Sequence, residues 1–121
     1  MSADIVKFED LKIWKEGMRL ARDIYLNLKS CRDFGLKDQM QRASVSIPSN
    51  IAEGFKRNSN KEFIRFLYIA LASCAELRTQ VYLSKEVGIL NAEINKDLVE
   101  RTRMLSAMIR KFIKTRVENF S

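Results

Sequence analysis

The sequence predicts an all-α protein, an antiparallel up-down-up-down four-helix bundle, and three observations predict it. Apolar residues recur at steps of three and four through most of the chain, the spacing that lines one face of a helix. The 121 residues include one proline and four glycines, too few for a turn-rich β fold. Short polar joints separate four periodic runs, and short joints favour antiparallel neighbours. With 46% apolar residues, a chain of this length builds its core without disulfides or metal, so residues 1–121 are expected to form one domain.

In the first run Leu11, Trp14, Met18, Ala21, Tyr25 and Leu28 make the expected core seam, with Asp10 as N-cap. The pattern breaks over residues 29–35. A second helix is expected over residues 36–54, with Leu36, Met40, Ala43, Ile47, Ile51 and Gly54 on one face. Pro48 lies inside it and cannot donate to the Ser44 carbonyl, which predicts a kink. Two short helices split at Ser46 are the alternative, but the apolar spacing continues through the proline. The joint Lys56-Arg57-Asn58-Ser59-Asn60 ends in a capping box, Ser59 with Glu62, so helix three begins there. Its seam is Phe63, Leu67, Ala70, Cys74, Leu77 and Val81, and Gly88 stops it. Asn91 caps a fourth helix with the seam Ile94, Leu98, Leu105, Ile109 and Phe112.

Two helices carry more apolar surface than one bundle needs. Helix three adds the row Ile64, Tyr68, Leu71, Ala75 and Tyr82, and helix one adds Ile13, Gly17, Leu20 and Ile24. A bundle helix needs one apolar stripe, so the second must be covered by the N-terminal segment, the joints or another subunit. Self-association is the expectation.

Composition excludes several function classes. Histidine is absent, so no imidazole can serve as a catalytic base and few transition-metal sites can form. Cys31 and Cys74 form no CxxC pair, and Cys74 falls on the apolar face of helix three as a small hydrophobe. The glycines are scattered, which leaves no phosphate loop. No cofactor and no metal are expected. The N-terminus lacks a basic segment followed by an apolar run, and no stretch reaches membrane-spanning length, so a cytosolic protein without membrane contact is expected. Lys plus Arg number 22 against 15 Asp plus Glu, a net charge of +7. That excess suits a polyanionic partner such as RNA, DNA or an acidic protein; an ordinary basic surface is the plain alternative.

A polar row runs beside the apolar face of helix two: Gln39, Arg42, Ser46, Asn50 and Glu53. Helix three answers it with Ser73, Glu76 and Gln80, interleaved with Phe66 and Ile69. Partly buried polar groups must find partners, which predicts a network with Arg42 facing Glu76 or Glu53. Its expected job is to fix helix register and subunit pairing. A hydrolase built on Glu53 and Glu76 is the functional alternative, and it lacks a nucleophile and a metal-ligand set.

The segment Ser46-Ile47-Pro48-Ser49-Asn50-Ile51-Ala52-Glu53-Gly54, preceded by Gln39 and Arg42-Ala43, closely resembles the signature of the S23 family, the 23S rRNA intervening-sequence proteins. Phe8-Glu9-Asp10-Leu11 with Trp14, and Lys61-Glu62-Phe63 through Ile69-Ala70, Ser73 and Glu76-Leu77, extend the likeness over residues 8–113. Lys37 departs from it, standing where a small hydroxyl residue would cap helix two. The resemblance implies a four-helix bundle in a homopentameric ring, which agrees with the surplus apolar rows. A similar protein is the accessory variability determinant of diversity-generating retroelements, a basic pentamer that binds a reverse transcriptase and nucleic acid.

The leading expectation is therefore a non-enzymatic, oligomeric protein that binds RNA or DNA backbone. From Arg101 to Arg116 there are six basic residues, Arg101, Arg103, Arg110, Lys111, Lys114 and Arg116, and no acidic one. Arg103, Arg110 and Lys114 share a face expected to lie opposite the core seam. Lys56, Arg57 and Lys61 of the joint before helix three are candidates to assist. No RNP-like aromatic pair or helix-turn-helix signature is present, so binding would be weakly sequence-specific. The second expectation is an adaptor or scaffold that docks a larger partner protein such as a reverse transcriptase.

Overall fold

The computed structural model describes residues 7–120, and among them all regular structure is helical. Residues 1–6, on which the reading of the N-terminus mostly rests, lie outside the described residues. A short 3-10 turn, Phe8–Asp10, leads into four helices: α1 Lys12–Asn27, α2 Phe34–Phe55, α3 Asn60–Glu86 and α4 Ala92–Phe120. α1 packs on α2 and α4, and α3 lies between α2 and α4, so the four enclose one core.

Local chemistry sets most of the ends. Ser59 Oγ accepts from the Glu62 amide at 3.1 Å, and Asn91 Oδ1 from the Ile94 amide at 2.9 Å, so both expected caps close a free helix N-terminus. Gly88 adopts φ +77° just past α3, a conformation that L side chains resist. α2 starts earlier than expected because Asp33 caps it, its Oδ1 accepting from the Leu36 amide at 3.0 Å. The departure at Lys37 therefore costs no cap. Asp10 does not cap α1: it belongs to the 3-10 turn, and Leu11 stands at the N-cap without a side-chain bond.

The seams of α2 and α3 are buried at every expected position. α1 differs. Its inward row is Ile13, Gly17, Leu20, Ala21 and Ile24, while Met18 and Tyr25 of the expected seam face out and Trp14 is half-buried. Two adjacent apolar rows gave the spacing no means of choosing. In the inward row Gly17 packs on Pro48, where a Cβ would lie 3.4 Å from the proline Cδ. The surplus apolar surface of α1 is therefore real but sits on Trp14, Met18 and Tyr25.

α2 runs as one helix through Pro48 rather than as two. Asn50 Nδ2 donates to the Ser46 carbonyl at 2.8 Å and to Ser46 Oγ at 2.9 Å, holding the turn around the proline. Gly54 allows α2 to meet α3, because a Cβ there would fall 2.6 Å from Phe66 Cβ and 3.1 Å from the Phe63 ring.

Candidate nucleic-acid interface

The cations of α4 divide by what holds them. Arg101 is half-buried and pairs with Asp23 of α1 at 2.7 Å and with Asp97 at 3.6 Å. Burial works to raise the Asp23 pKa, but hydrogen bonds and charge from Arg22 and Arg101 outweigh it and hold the carboxyl below its ordinary value. Arg116 donates to Asn60 Oδ1 at 2.7 Å and lies over the Phe63 ring, and burial lowers its pKa. These two clamp α4 to α1 and to the start of α3.

Arg103, Arg110, Lys111 and Lys114 are exposed. Their surroundings refine the expectation that the row lies opposite the core, since it borders the outer row of α3. Arg103 Nη2 donates to the Tyr82 hydroxyl at 2.9 Å. Arg110 and Lys114 line a groove of about 380 Å³ with Tyr68, Leu71, Ile113, Val117 and Glu118. Lys111 is turned to the other flank, where a groove of about 450 Å³ is lined by Leu11, Lys12, Met108 and Phe112 among others. The expected cluster is thus split between two sides of α4.

Lys56 in the joint before α3 and Lys61 in the first turn of α3 are exposed. Asn60, beside Lys61, donates to the Arg116 carbonyl at 3.0 Å, which brings this joint to the C-terminal part of α4. Arg57 is engaged with α2 and α3, pairing with Glu53 at 2.9 Å and lying over the Phe66 ring.

The polar row of α2 and α3 is brought together in its middle. Ser46 Oγ and Ser73 Oγ are 2.9 Å apart across the helices, Asn50 donates to Ser46, and Ser73 also donates to the Ile69 carbonyl at 3.2 Å. Arg42 does not face Glu76 or Glu53. Its side chain is 80% exposed, and its guanidinium pairs with Asp38 one turn back at 3.3 Å. Glu76 is exposed, and Glu53 pairs with Arg57. Long charged side chains at the seam edge reach water and local partners, while the uncharged Ser73 and Gln80 of the row are buried. Glu53 adjoins Gly54, which meets Phe66, whereas Glu76 lies about 15 Å further along α3 at 1.5 Å rise per residue. The two carboxylates form no common pocket.

A third polar device was missed by the sequence reading. Arg78 of α3 donates to Thr102 Oγ1 at 3.0 Å and to Ser106 Oγ at 2.8 Å, both buried on α4. The signal was present in the gap between Leu98 and Leu105 of the α4 seam, which Thr102 fills, with Ser106 one turn further on. Next to it, burial pushes the Cys74 thiol up to about 11, so this cysteine is held as an inert hydrophobe.

Four helices around one core, with a cationic, partly aromatic flank and a packed polar seam, define an all-α protein by class. The family follows from comparison: the model of the 23S rRNA-intervening sequence protein matches residues 9–111, and the chain belongs to that family. A crystal structure of a protein of unknown function from the S23 ribosomal protein family of Bacteroides thetaiotaomicron VPI-5482 shares its fold, with a TM-score of 0.80. The two are 23% identical, and the match covers 85% of this chain and 99% of the other. No curated protein matches the chain. Among the described residues, no helix is long and apolar enough to cross a membrane.

Proposed function

We propose that this protein is a non-enzymatic, oligomeric bundle of the cytosol that binds nucleic acid by its phosphates along the α3–α4 flank. One observation carries the reading. Arg103, Arg110 and Lys114 are exposed on one side of α4, and among the described residues none of them is in an ion pair. Phosphate contacts release counterions, so such binding depends on salt and little on base sequence. Lys56 and Lys61 lengthen the track at the Asn60–Arg116 end. Lys111 and Arg57 contribute less, one facing the other flank and one held by Glu53.

The bundle is read as up-down-up-down with a bend at Pro48. Ser46 meets Ser73 while Gly54 meets Phe66, and Tyr82 meets Arg103 while Asn60 meets Arg116, pairings that run in opposite senses along each helix pair. Self-association is assigned to the α1–α2 face, where Trp14, Met18, Tyr25, Val45 and Pro48 line an apolar depression of about 430 Å³. The family resemblance implies five copies in a ring. A ring repeats the cationic row and multiplies affinity for a long polyanion.

The test is a salt titration of binding to labelled RNA and DNA by the parent and by a triple variant, Arg103→Glu, Arg110→Glu and Lys114→Glu, with native mass spectrometry of both. The parent is expected as a closed oligomer whose affinity falls steeply between roughly 50 and 200 mM salt. The variant is expected to keep its assembly and helicity and lose binding. Equal affinities place the site elsewhere, and no binding by the parent at low salt favours the adaptor reading. That second reading has its own observation, the α1–α4 grooves, where Met104 is 65% exposed beside Met108. Flexible thioethers of this kind suit an apolar protein partner.

A further inference from the structure

Phosphate binding by itself needs no aromatic side chains, yet the same flank displays two. Tyr68 is 55% exposed and Tyr82 is 45% exposed. They stand fourteen positions apart in the sequence on one stripe of α3, about 21 Å along the axis at 1.5 Å per residue, with Leu71 and Ala75 between them. Neither ring belongs to the buried core. Each has its own cations: Arg103 bonds the Tyr82 hydroxyl at 2.9 Å, and Arg110 and Lys114 line the groove that Tyr68 enters. Glu118 is the acidic member of that groove lining.

We propose that the α3–α4 flank is a track for single-stranded nucleic acid, in which Tyr68 and Tyr82 stack on bases while Arg103, Arg110 and Lys114 take the phosphates. The proposal rests on the reading of this flank as a nucleic-acid interface and adds the strandedness of the ligand. A duplex buries its base faces in its own stack and offers a protein surface only phosphates, sugars and groove edges. A single strand exposes ring faces, and stacking on an aromatic side chain tolerates any base. The arrangement joins two sequence-tolerant contacts, charge and stacking, which accords with a chain that has no base-reading motif. The apolar grooves beside α1 lack this pairing of exposed tyrosines with cations that carry no ion pair.

The decisive experiment compares fluorescence anisotropy of a labelled oligothymidine, an oligouridine and a mixed-sequence duplex of equal length at constant salt. The proteins are the parent, Tyr68→Ala with Tyr82→Ala, Tyr68→Phe with Tyr82→Phe, and the triple charge reversal. The alanine pair should weaken single-strand binding about tenfold or more and leave duplex binding unchanged. The phenylalanine pair keeps the rings and should bind single strands like the parent, although it loses the Arg103 hydrogen bond. The charge reversal should lose both ligands. Equal loss of single-strand and duplex binding in the alanine pair, or no loss of either, overturns the stacking track and leaves the phosphate interface standing. Failure of the parent to bind any of the three overturns both. Agreement of the thymidine and uridine arms supports a track that reads strandedness rather than sugar.

Discussion

The α2–α3 seam and the α1–α4 seam are built on opposite principles. Where α2 meets α3, the backbones approach closely: Gly54 presses on Phe63 and Phe66, and Ser46 and Ser73 bond directly across the gap. Where α1 meets α4, the helices stand apart over grooves of about 210 and 450 Å³, bridged by the Asp23–Arg101 ion pair. Of the residues that carry the family signature, Ser46, Asn50 and Gly54 belong to the tight seam, while Pro48 meets Gly17 of α1. They look like a functional motif in sequence, but Ser46, Asn50 and Gly54 have packing jobs. In the proposed function, the chemistry offered to a partner lies on the flanks of α4.

Gly54→Ala tests this contrast most severely. Its Cβ would fall 2.6 Å from a Cβ of Phe66, so backbones must move rather than a flexible tip. Overpacking of that kind should cost about 3 kcal/mol or more, read as a lowered melting midpoint in urea or heat. Gly17→Ala on the α1–α2 side is the control, since its Cβ would meet Pro48 at 3.4 Å, ordinary contact, and the loss should be far smaller. If both variants melt alike, the tight seam is not where the fold is most constrained.

Ser73→Ala removes the cross-helix hydroxyl and should cost about 1 kcal/mol, because Ser46 retains its bond from Asn50. Urea denaturation is sensitive enough to read it.

The loose seam should respond to pH instead. The Asp23 carboxyl, its pKa depressed in the folded state, contributes stability that is complete above the ordinary aspartate value. That contribution is lost as pH falls through the lower folded value. Glu62, held down by its hydrogen bond from Arg65, acts in the same direction. Asp23→Asn should therefore lower stability at neutral pH by about 1 kcal/mol or less, the pair being partly exposed. The difference from the parent should shrink on acidification. A gap that widens in acid would contradict the assignment.

At the bottom of the scale stands Arg42→Ala. The sequence reading gave Arg42 a partly buried partner, Glu76 or Glu53. With the side chain 80% exposed and its partner Asp38 a turn away, the substitution should leave melting unchanged.

What was legible in the sequence was local. Ser59, Asn91 and Gly88 act within one helical turn of themselves, and the seams of α2 and α3 each form one unambiguous stripe. What was not legible depends on which helix lies opposite. α1 has two apolar rows, and only the placement of α2 and α4 shows that Ile13, Gly17, Leu20 and Ile24 turn inward. Arg42 and Glu76 share a row with Ser46 and Ser73, but both are exposed while the two serines meet across the seam. Arg101 and Arg116 read as members of a basic stripe until Asp23, Asn60 and Phe63 are seen beside them. The cation row itself was readable from spacing, whereas its border with Tyr68 and Tyr82 required α3 to be placed.

Hydrogen–deuterium exchange on the assembled protein, with and without saturating nucleic acid, tests most directly the claim that the signature seam is structural and the α3–α4 flank is the working surface. Protection gained on binding should concentrate in peptides containing Tyr68, Tyr82, Arg103, Arg110 and Lys114. Peptides spanning Ser46 to Gly54 should already exchange slowly in the free protein and should not change. Protection appearing over Ser46 to Gly54, with none along α3 and α4, would contradict the account and return the binding site to the signature itself.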